Sequence, residues 1–189
     1  MEISESQIIE KCQKGDLADF GLLYDRYIKK IYNYIYWRIS DKDTAEDLTS
    51  QTFFKALEKI NTYHFNKGSF SSWLYRIARN NVIDHYRQQR PTSDIERAWG
   101  ISANDNLEQE LSDRQELTRV EQYLERLSPE QKDVVMMRLW DELSYQEIAE
   151  IMGKSEASCK MMFSRVAGRL RQDLAVIMML ALLAGNFPN

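Results

Sequence analysis

Four arginines, Arg76, Arg79, Arg87 and Arg90, recur within one short stretch of the chain. On an ideal helix, turning by about 100° per residue, they fall within an arc of roughly 80° and form a single cationic stripe. Guanidinium groups so arranged suit phosphates, which they bind with two donors while displacing counterions. Phe70, Leu74, Ile77, Ala78, Asn81 and His85 fall on a different arc, which reads as a packing face. Tyr63, His64 and Phe65 just upstream, with Trp73 at the helix start, place rings beside the stripe. Cations interleaved with aromatics have the composition of a single-stranded nucleic-acid site. The plainer reading is a solvated helix face whose ion pairs contribute little.

A second set lies near the other end of the chain. The run SYQEIAEIMG, from Ser144 to Gly153, reads as a short helix with a cap at each end. A second helix starts near Ser155 and carries Ser158, Lys160, Ser164, Arg165 and Arg169 among its polar positions. Two helices joined by a tight glycine turn are the geometry of a helix-turn-helix. Ile148, Ala149 and Ile151 supply the packing side of the first. The second would lie in the major groove, its first residues nearest base edges and its later cations near phosphates. A plain helical hairpin in an all-α core is the structural alternative.

Other chemistry finds weaker support. Cys12 and Cys159 are the only cysteines, and neither sits in a C-x-x-C pair or a Cys/His cluster that could hold zinc. His64 and His85 are too scattered for acid–base or metal work. A metal-dependent nucleic-acid hydrolase would need Asp43, Glu46 and Asp47 as ligands, but helix capping accounts for these acids and no further ligand set accompanies them. No cofactor, catalytic group or metal site is expected.

The elements that must position these residues are legible from their punctuation. Ser4 with Gln7 opens a short helix that Gly15 ends. Asp16 precedes a long helix through about Ile39, with Leu17, Phe20, Leu23, Tyr24, Tyr27, Ile31, Tyr34 and Ile35 at helical spacing. A third helix runs from Asp41 or Asp43 to about Ile60, and a fourth from about Phe70 to Gln89, before Pro91. Ser112 with Gln115, Ser128 with Gln131 and Ser144 with Glu147 open three more helices, and the last begins near Ser155. With 43% hydrophobic residues, 7 Gly and 3 Pro, the fold class expected is all-α, in two small helical domains. Residues 1–90 form the first, 91–111 an acidic linker, 112–173 the second, and 174–189 an apolar tail.

Formal net charge is −4, at first sight a poor match to a polyanion. The charge is segregated, however. Residues 76–90 carry a net +3 and residues 153–173 another +3, while residues 91–118 between them carry −5. In the tail, residues 174–184 are eleven apolar residues in a row, short of the roughly twenty that span a bilayer. The tail is expected to extend the last helix and pack on the protein, with a docking role as the sharper alternative. The first residues lack the basic and apolar regions of a signal peptide, so a reducing cytoplasm is the expected location.

From about Ile8 to Arg171 the chain resembles the extracytoplasmic-function (ECF, group IV) sigma factors of RNA polymerase. LLYDRYIKKIYNY with AEDLTSQTFFKAL is similar to the family's first conserved part and polymerase-binding helix. FSSWLYRIARNNVIDHYRQQR resembles the promoter-melting part, and LERLSPEQKDVVMMRLWDELSYQEIAEIMG the C-terminal domain. The resemblance implies docking on the clamp coiled coil of the polymerase's largest subunit through Ala45, Glu46, Asp47, Leu48, Gln51, Phe53 and Phe54. It implies capture of an unpaired promoter strand by the loop at residues 63–69 with Arg76 and Asn80, and readout of the upstream element by Ser158, Lys160 and Arg165. It also implies an anti-sigma factor as a candidate partner, and no small-molecule substrate. Ser50-Gln51 stands where the family commonly has Gln-Glu, and Met161 and Met162 replace a polar residue and a cation, so altered upstream readout is expected. A stand-alone helix-turn-helix transcriptional regulator, binding duplex without polymerase, is the alternative function.

Overall fold

The computed structural model describes residues 3–89, 124 and 126–170. Among these residues every regular element is helical, as expected. The chain divides into two compact units. The first holds α1 (Glu5–Gln13), α2 (Phe20–Ile39), α3 (Lys42–Glu58) and α4 (Phe70–Gln88); the second holds α5 (Pro129–Leu139), α6 (Tyr145–Met152) as far as Ala149, and α7 (Glu156–Leu170). The acidic linker, the helix expected from Ser112, Arg90 and the apolar tail lie outside the described residues.

Three of the capping boxes form with both bonds in place. Ser4, Ser128 and Ser144 each accept from the N–H three residues on, and the Gln7, Gln131 and Glu147 side chains return a bond to the cap N–H. Asp41 caps α3, accepting from Thr44 N at 2.9 Å. The start of α2 departs from expectation. Asp16 does not cap it but closes a local turn, its carboxylate accepting from Ala18 N at 3.2 Å, and regular helix begins only at Phe20. A short polar side chain that can bond its own backbone two residues on competes with helix initiation.

The first core is apolar where α2, α3 and α4 meet, with Leu23, Ile31, Ile35, Ala45, Ala56, Leu74, Ala78 and Val82 almost wholly enclosed. One polar chain runs through it. Lys55 Nζ donates to Asn81 Oδ1 at 2.6 Å, Asn81 Nδ2 donates to Thr52 Oγ1 at 2.9 Å, and Thr52 Oγ1 donates to the Leu48 carbonyl at 2.7 Å. At the far end of α4, the Tyr86 hydroxyl donates to the Arg38 carbonyl at 2.7 Å and ties that end to α2. The second core is built from Leu127, Val134, Val135, Met136, Met137, Ile148, Cys159 and Val166.

Two outcomes test these interactions. Asn81→Ala leaves the Lys55 ammonium and the Thr52 hydroxyl without their buried partner, at a cost of about 2 kcal/mol in urea unfolding. A loss below about 0.5 kcal/mol, the size of an ordinary surface change, would show the chain to be structurally idle. Hydrogen bonds from the Thr44 hydroxyl and N–H hold the Asp41 carboxyl below the ordinary aspartate range. Its stabilisation is therefore complete above the unfolded pKa of about 4 and is lost as pH falls through the lower folded value. Asparagine caps without titrating, so Asp41→Asn should flatten that part of the acid limb of Tm against pH; identical limbs would count against it.

Candidate nucleic-acid interface

α4 owes its position to its first turn. Gly68, at φ +128°, takes a backbone conformation that L side chains rarely adopt and delivers the chain to Ser69, whose hydroxyl accepts from Ser72 N at 3.1 Å. From there Phe70, Leu74, Ala78, Asn81 and Val82 face the core. Arg76, Asn80 and Arg87 are exposed, and Arg79 is half-buried at the edge of the same face. Asn80 lies within roughly 40° of Arg76 and Arg87 around the helix, so an amide sits among the cations. Arg87 lies 3.8 Å from Asp84, an exposed pair that leaves its charge available.

The loop before α4 is held from beneath. Gln13, at the end of α1, donates through Nε2 to the carbonyls of Ile60 at 3.0 Å and Tyr63 at 2.9 Å. The Tyr63 hydroxyl donates to the Gly68 carbonyl at 3.1 Å. Tyr63 also packs its ring against Phe70 and Trp73, each 5.6 Å between centroids, and against Phe65 at 5.1 Å. This corrects the expectation of open stacking surfaces. Tyr63 is 5% and Trp73 8% exposed, because their rings close the core beside Tyr27 and Phe70; Phe65, at 47%, and His64 are the rings the loop presents. Burial pushes the Tyr63 phenol above its ordinary value and keeps it a hydrogen-bond donor.

α3 shows a comparable split. Ala45, Leu48 and Phe53 are core residues, and Phe53 stacks edge-on with Tyr24 at 4.8 Å. These three present almost no surface to a partner, which corrects their inclusion among expected polymerase contacts. Glu46, Asp47 and Gln51 are exposed, and Phe54 stands 62% exposed among them. Glu46 lies 3.8 Å from Lys42. Among the described residues no group of three or more His, Cys, Asp or Glu could hold a metal ion, and no helix is long and apolar enough to cross a membrane. Burial raises both the Cys12 and Cys159 thiols, which makes them poor nucleophiles.

In the second unit the turn between α6 and α7 is tightly specified. Gly153 ends α6 in the left-handed region, its N–H donating to the Ala149 carbonyl, and Lys154 N donates to the same carbonyl at 3.0 Å. Ser155 then caps α7, its hydroxyl accepting from Ser158 N at 3.2 Å. Lys154 Nζ reaches Glu130 at 2.9 Å and ties the turn to the start of α5. Arg138 lies over the Tyr145 ring at 5.0 Å and donates to the Leu143 carbonyl, fixing the approach to α6. With Cys159 and Val166 inward, α7 leaves Ser155, Lys160, Ser164, Arg165 and Arg169 exposed and Ser158 at the margin. That is a helix-turn-helix with its second helix open to solvent.

Residues 23–92 match the family described as Sigma-70 region 2, and residues 117–170 the family described as Sigma-70, region 4. ECF RNA polymerase sigma factor SigW of Bacillus subtilis (strain 168) is 30% identical over 185 residues, covering 92% of this chain and 98% of SigW. The chain belongs to the ECF sigma factors. ECF RNA polymerase sigma factor BldN of Streptomyces coelicolor is 37% identical over 175 residues, 89% of this chain; the chain spans 65% of that relative's length. The sigma factor RpoE, solved in complex with the anti-sigma factor NepR from Bartonella quintana, shares the fold at 24% identity and a TM-score of 0.65, covering 84% of this chain and 98% of that one. Sigma factors are non-enzymatic initiation factors that bind core RNA polymerase and promoter DNA, and the family makes this chain an alternative sigma factor. In these terms α4 and its loop belong to region 2 and the helix-turn-helix to region 4.

Gln13 lies ahead of the matched region 2, and no spacing rule in the sequence points to it. Replacing it with Ala removes two hydrogen bonds to loop carbonyls, together worth about 1.4 kcal/mol locally. Amide exchange of Tyr63 and Lys67, whose N–H groups bond within the loop, should accelerate about tenfold while α3 and α4 stay protected. Unchanged exchange would mean that the aromatic cluster alone holds the loop.

Proposed function

We propose that this chain, a group IV sigma factor acting in the cytoplasm without catalysis or cofactor of its own, bridges core RNA polymerase and promoter DNA through three surfaces. The exposed face of α3 docks on the clamp coiled coil of the largest subunit, with Phe54 as an apolar anchor in a polar ring of Glu46, Asp47 and Gln51. A large, well-exposed aromatic amid charges is the composition of an interface hot spot. The Arg76, Asn80 and Arg87 stripe of α4, with Arg79 at its edge and Arg90 beyond the described residues, captures the displaced strand beside His64 and Phe65. Tyr63 and Trp73 form the platform beneath. Through α7, Ser155, Ser158, Lys160, Ser164, Arg165 and Arg169 meet the upstream duplex.

The observation that carries this reading is the rotation of α4. Arg76, Arg87 and Asn80 stand together in solvent beside a loop pinned at both ends, a ready site for an extruded base and its phosphates. Extrusion costs a few kcal/mol in lost stacking, and contacts of this kind offset it without nucleotide hydrolysis by the chain. Residues 91–111, acidic in composition, connect the two units and suit a basic nucleic-acid channel. An anti-sigma factor is the inhibitory partner expected for the same surfaces.

The test is transcription from a promoter library by core polymerase with the purified full-length chain. Transcripts should start downstream of a shared motif only when the chain is present. Asn80→Ala should lower melting at least tenfold with the upstream footprint intact, a Lys160→Ala/Arg165→Ala double variant should lose the upstream footprint, and Phe54→Ala should weaken core binding by about 2 kcal/mol. Tight duplex binding by the chain alone, without association to polymerase, would replace this reading with a stand-alone helix-turn-helix regulator.

A further inference from the structure

Among the described residues of the second unit, Met161 is the one large apolar side chain in open solvent, at 51% exposure. Its place on α7 is central. Taking Met161 as the reference direction, the buried Cys159 and Val166 lie roughly 140–160° away around the helix, so its side chain points directly off the core. Ala157, Ser164 and Gly168, all exposed, fall within roughly 60° to one side. Three small residues around one long flexible one leave the helix backbone free to approach a surface closely, with Met161 reaching furthest. Arg165 flanks the other side, and its guanidinium donates to the Met161 sulfur at 3.4 Å, which restrains the thioether. Lys160 and Arg169 stand further round, at either margin of the exposed arc.

A groove-entering helix with cations at its margins and a thioether at its centre puts phosphate contacts outside and an apolar contact against the base edges. In the major groove, thymine is the base that presents a methyl group, at C5. A polarizable, unbranched side chain adapts to such a target without a hydrogen bond to satisfy. We infer that Met161 is a specificity-determining residue that reads a thymine methyl in the upstream promoter element. The inference rests on the proposed binding of that element by α7. Isolated exposed methionines are common and carry no function in general; it is the row of small residues on one side and the flanking cations that set this one apart.

The test replaces thymine by deoxyuridine, which removes the methyl and keeps base pairing and O4. Promoters recovered with the full-length chain and core polymerase supply the upstream element, each thymine in it is substituted in turn, and holoenzyme affinity is measured. Removal of one contacted methyl should weaken wild-type binding about three- to fivefold at one or two positions. Met161→Ala should lower affinity for the parent promoter and respond less than 1.5-fold, or about 0.2 kcal/mol, to the same substitutions, while Met161→Leu keeps the sensitivity. The inference is overturned if no substitution matters, if Met161→Ala remains as sensitive as wild type, or if the recovered element has no fixed thymine, in each case with the upstream duplex still protected. If wild-type holoenzyme protects no upstream duplex, the reading of α7 fails as well.

Discussion

The hydrogen-bonded chain from Lys55 through Asn81 and Thr52 to the Leu48 carbonyl sets the rotation of α3 and α4 against each other. Apolar contacts alone tolerate a slip of one ridge past another, because one buried methyl substitutes for the next. A buried amide does not, since any rotation that moves Asn81 off Thr52 leaves polar groups unpaired in a dry interior. Both exposed faces follow from this constraint. On α4, Asn81 lies roughly 100° from Asn80 and farther from Arg87; on α3, Thr52 lies roughly 140° from Asp47 and 160° from Phe54. Turning Asn81 and Thr52 inward therefore turns the cationic stripe and the Phe54 face outward at once.

The second unit reaches a similar end by local means. Its helix-turn-helix is fixed by caps at each helix boundary, Ser144 at the start of α6, Gly153 at its end and Ser155 at the start of α7, with the Lys154–Glu130 ion pair holding the turn to α5. Each cap contributes on the order of 1 kcal/mol, and each acts on backbone angles rather than on side-chain packing. The exposed arc of α7 is thus free to vary in composition without disturbing its geometry. Met161 and Met162 can stand where the family commonly carries polar and cationic residues, and the helix still presents the same face.

Caps and periodicity are local, and for that reason the helices were largely legible in the sequence: the Ser4, Ser128 and Ser144 boxes sit where their three-residue spacing puts them. The cationic stripe and the helix-turn-helix were legible too, since each depends on one element or two adjacent ones. What escaped is tertiary. Asp16 had a turn to close that competed with capping α2. Tyr63 and Trp73 carry the composition of a stacking surface and are instead spent on closing a core, a choice made by Phe70 and Tyr27. The bonds from Gln13 reach 47 and 50 residues along the chain, and nothing in the residues near Gln13 announces them.

Under the proposed function, charge accounts for a chain that acts only with its partner. Region 2 carries Arg76 and Arg87 exposed and Arg79 half-buried on one stripe, and region 4 exposes Lys160, Arg165 and Arg169. Each neutralised phosphate contributes a salt slope of about 0.7 to 0.9, so either unit alone holds nucleic acid weakly at physiological ionic strength. The remainder of the chain is acidic enough to give a net −4, which opposes non-specific adherence to duplex. Under the proposed function, tethering both units to polymerase makes the second contact intramolecular, and two weak sites then act at high effective concentration. Under the same reading, an acidic protein with two small basic faces is suited to that arrangement, discriminating promoters when docked and holding DNA only weakly when free.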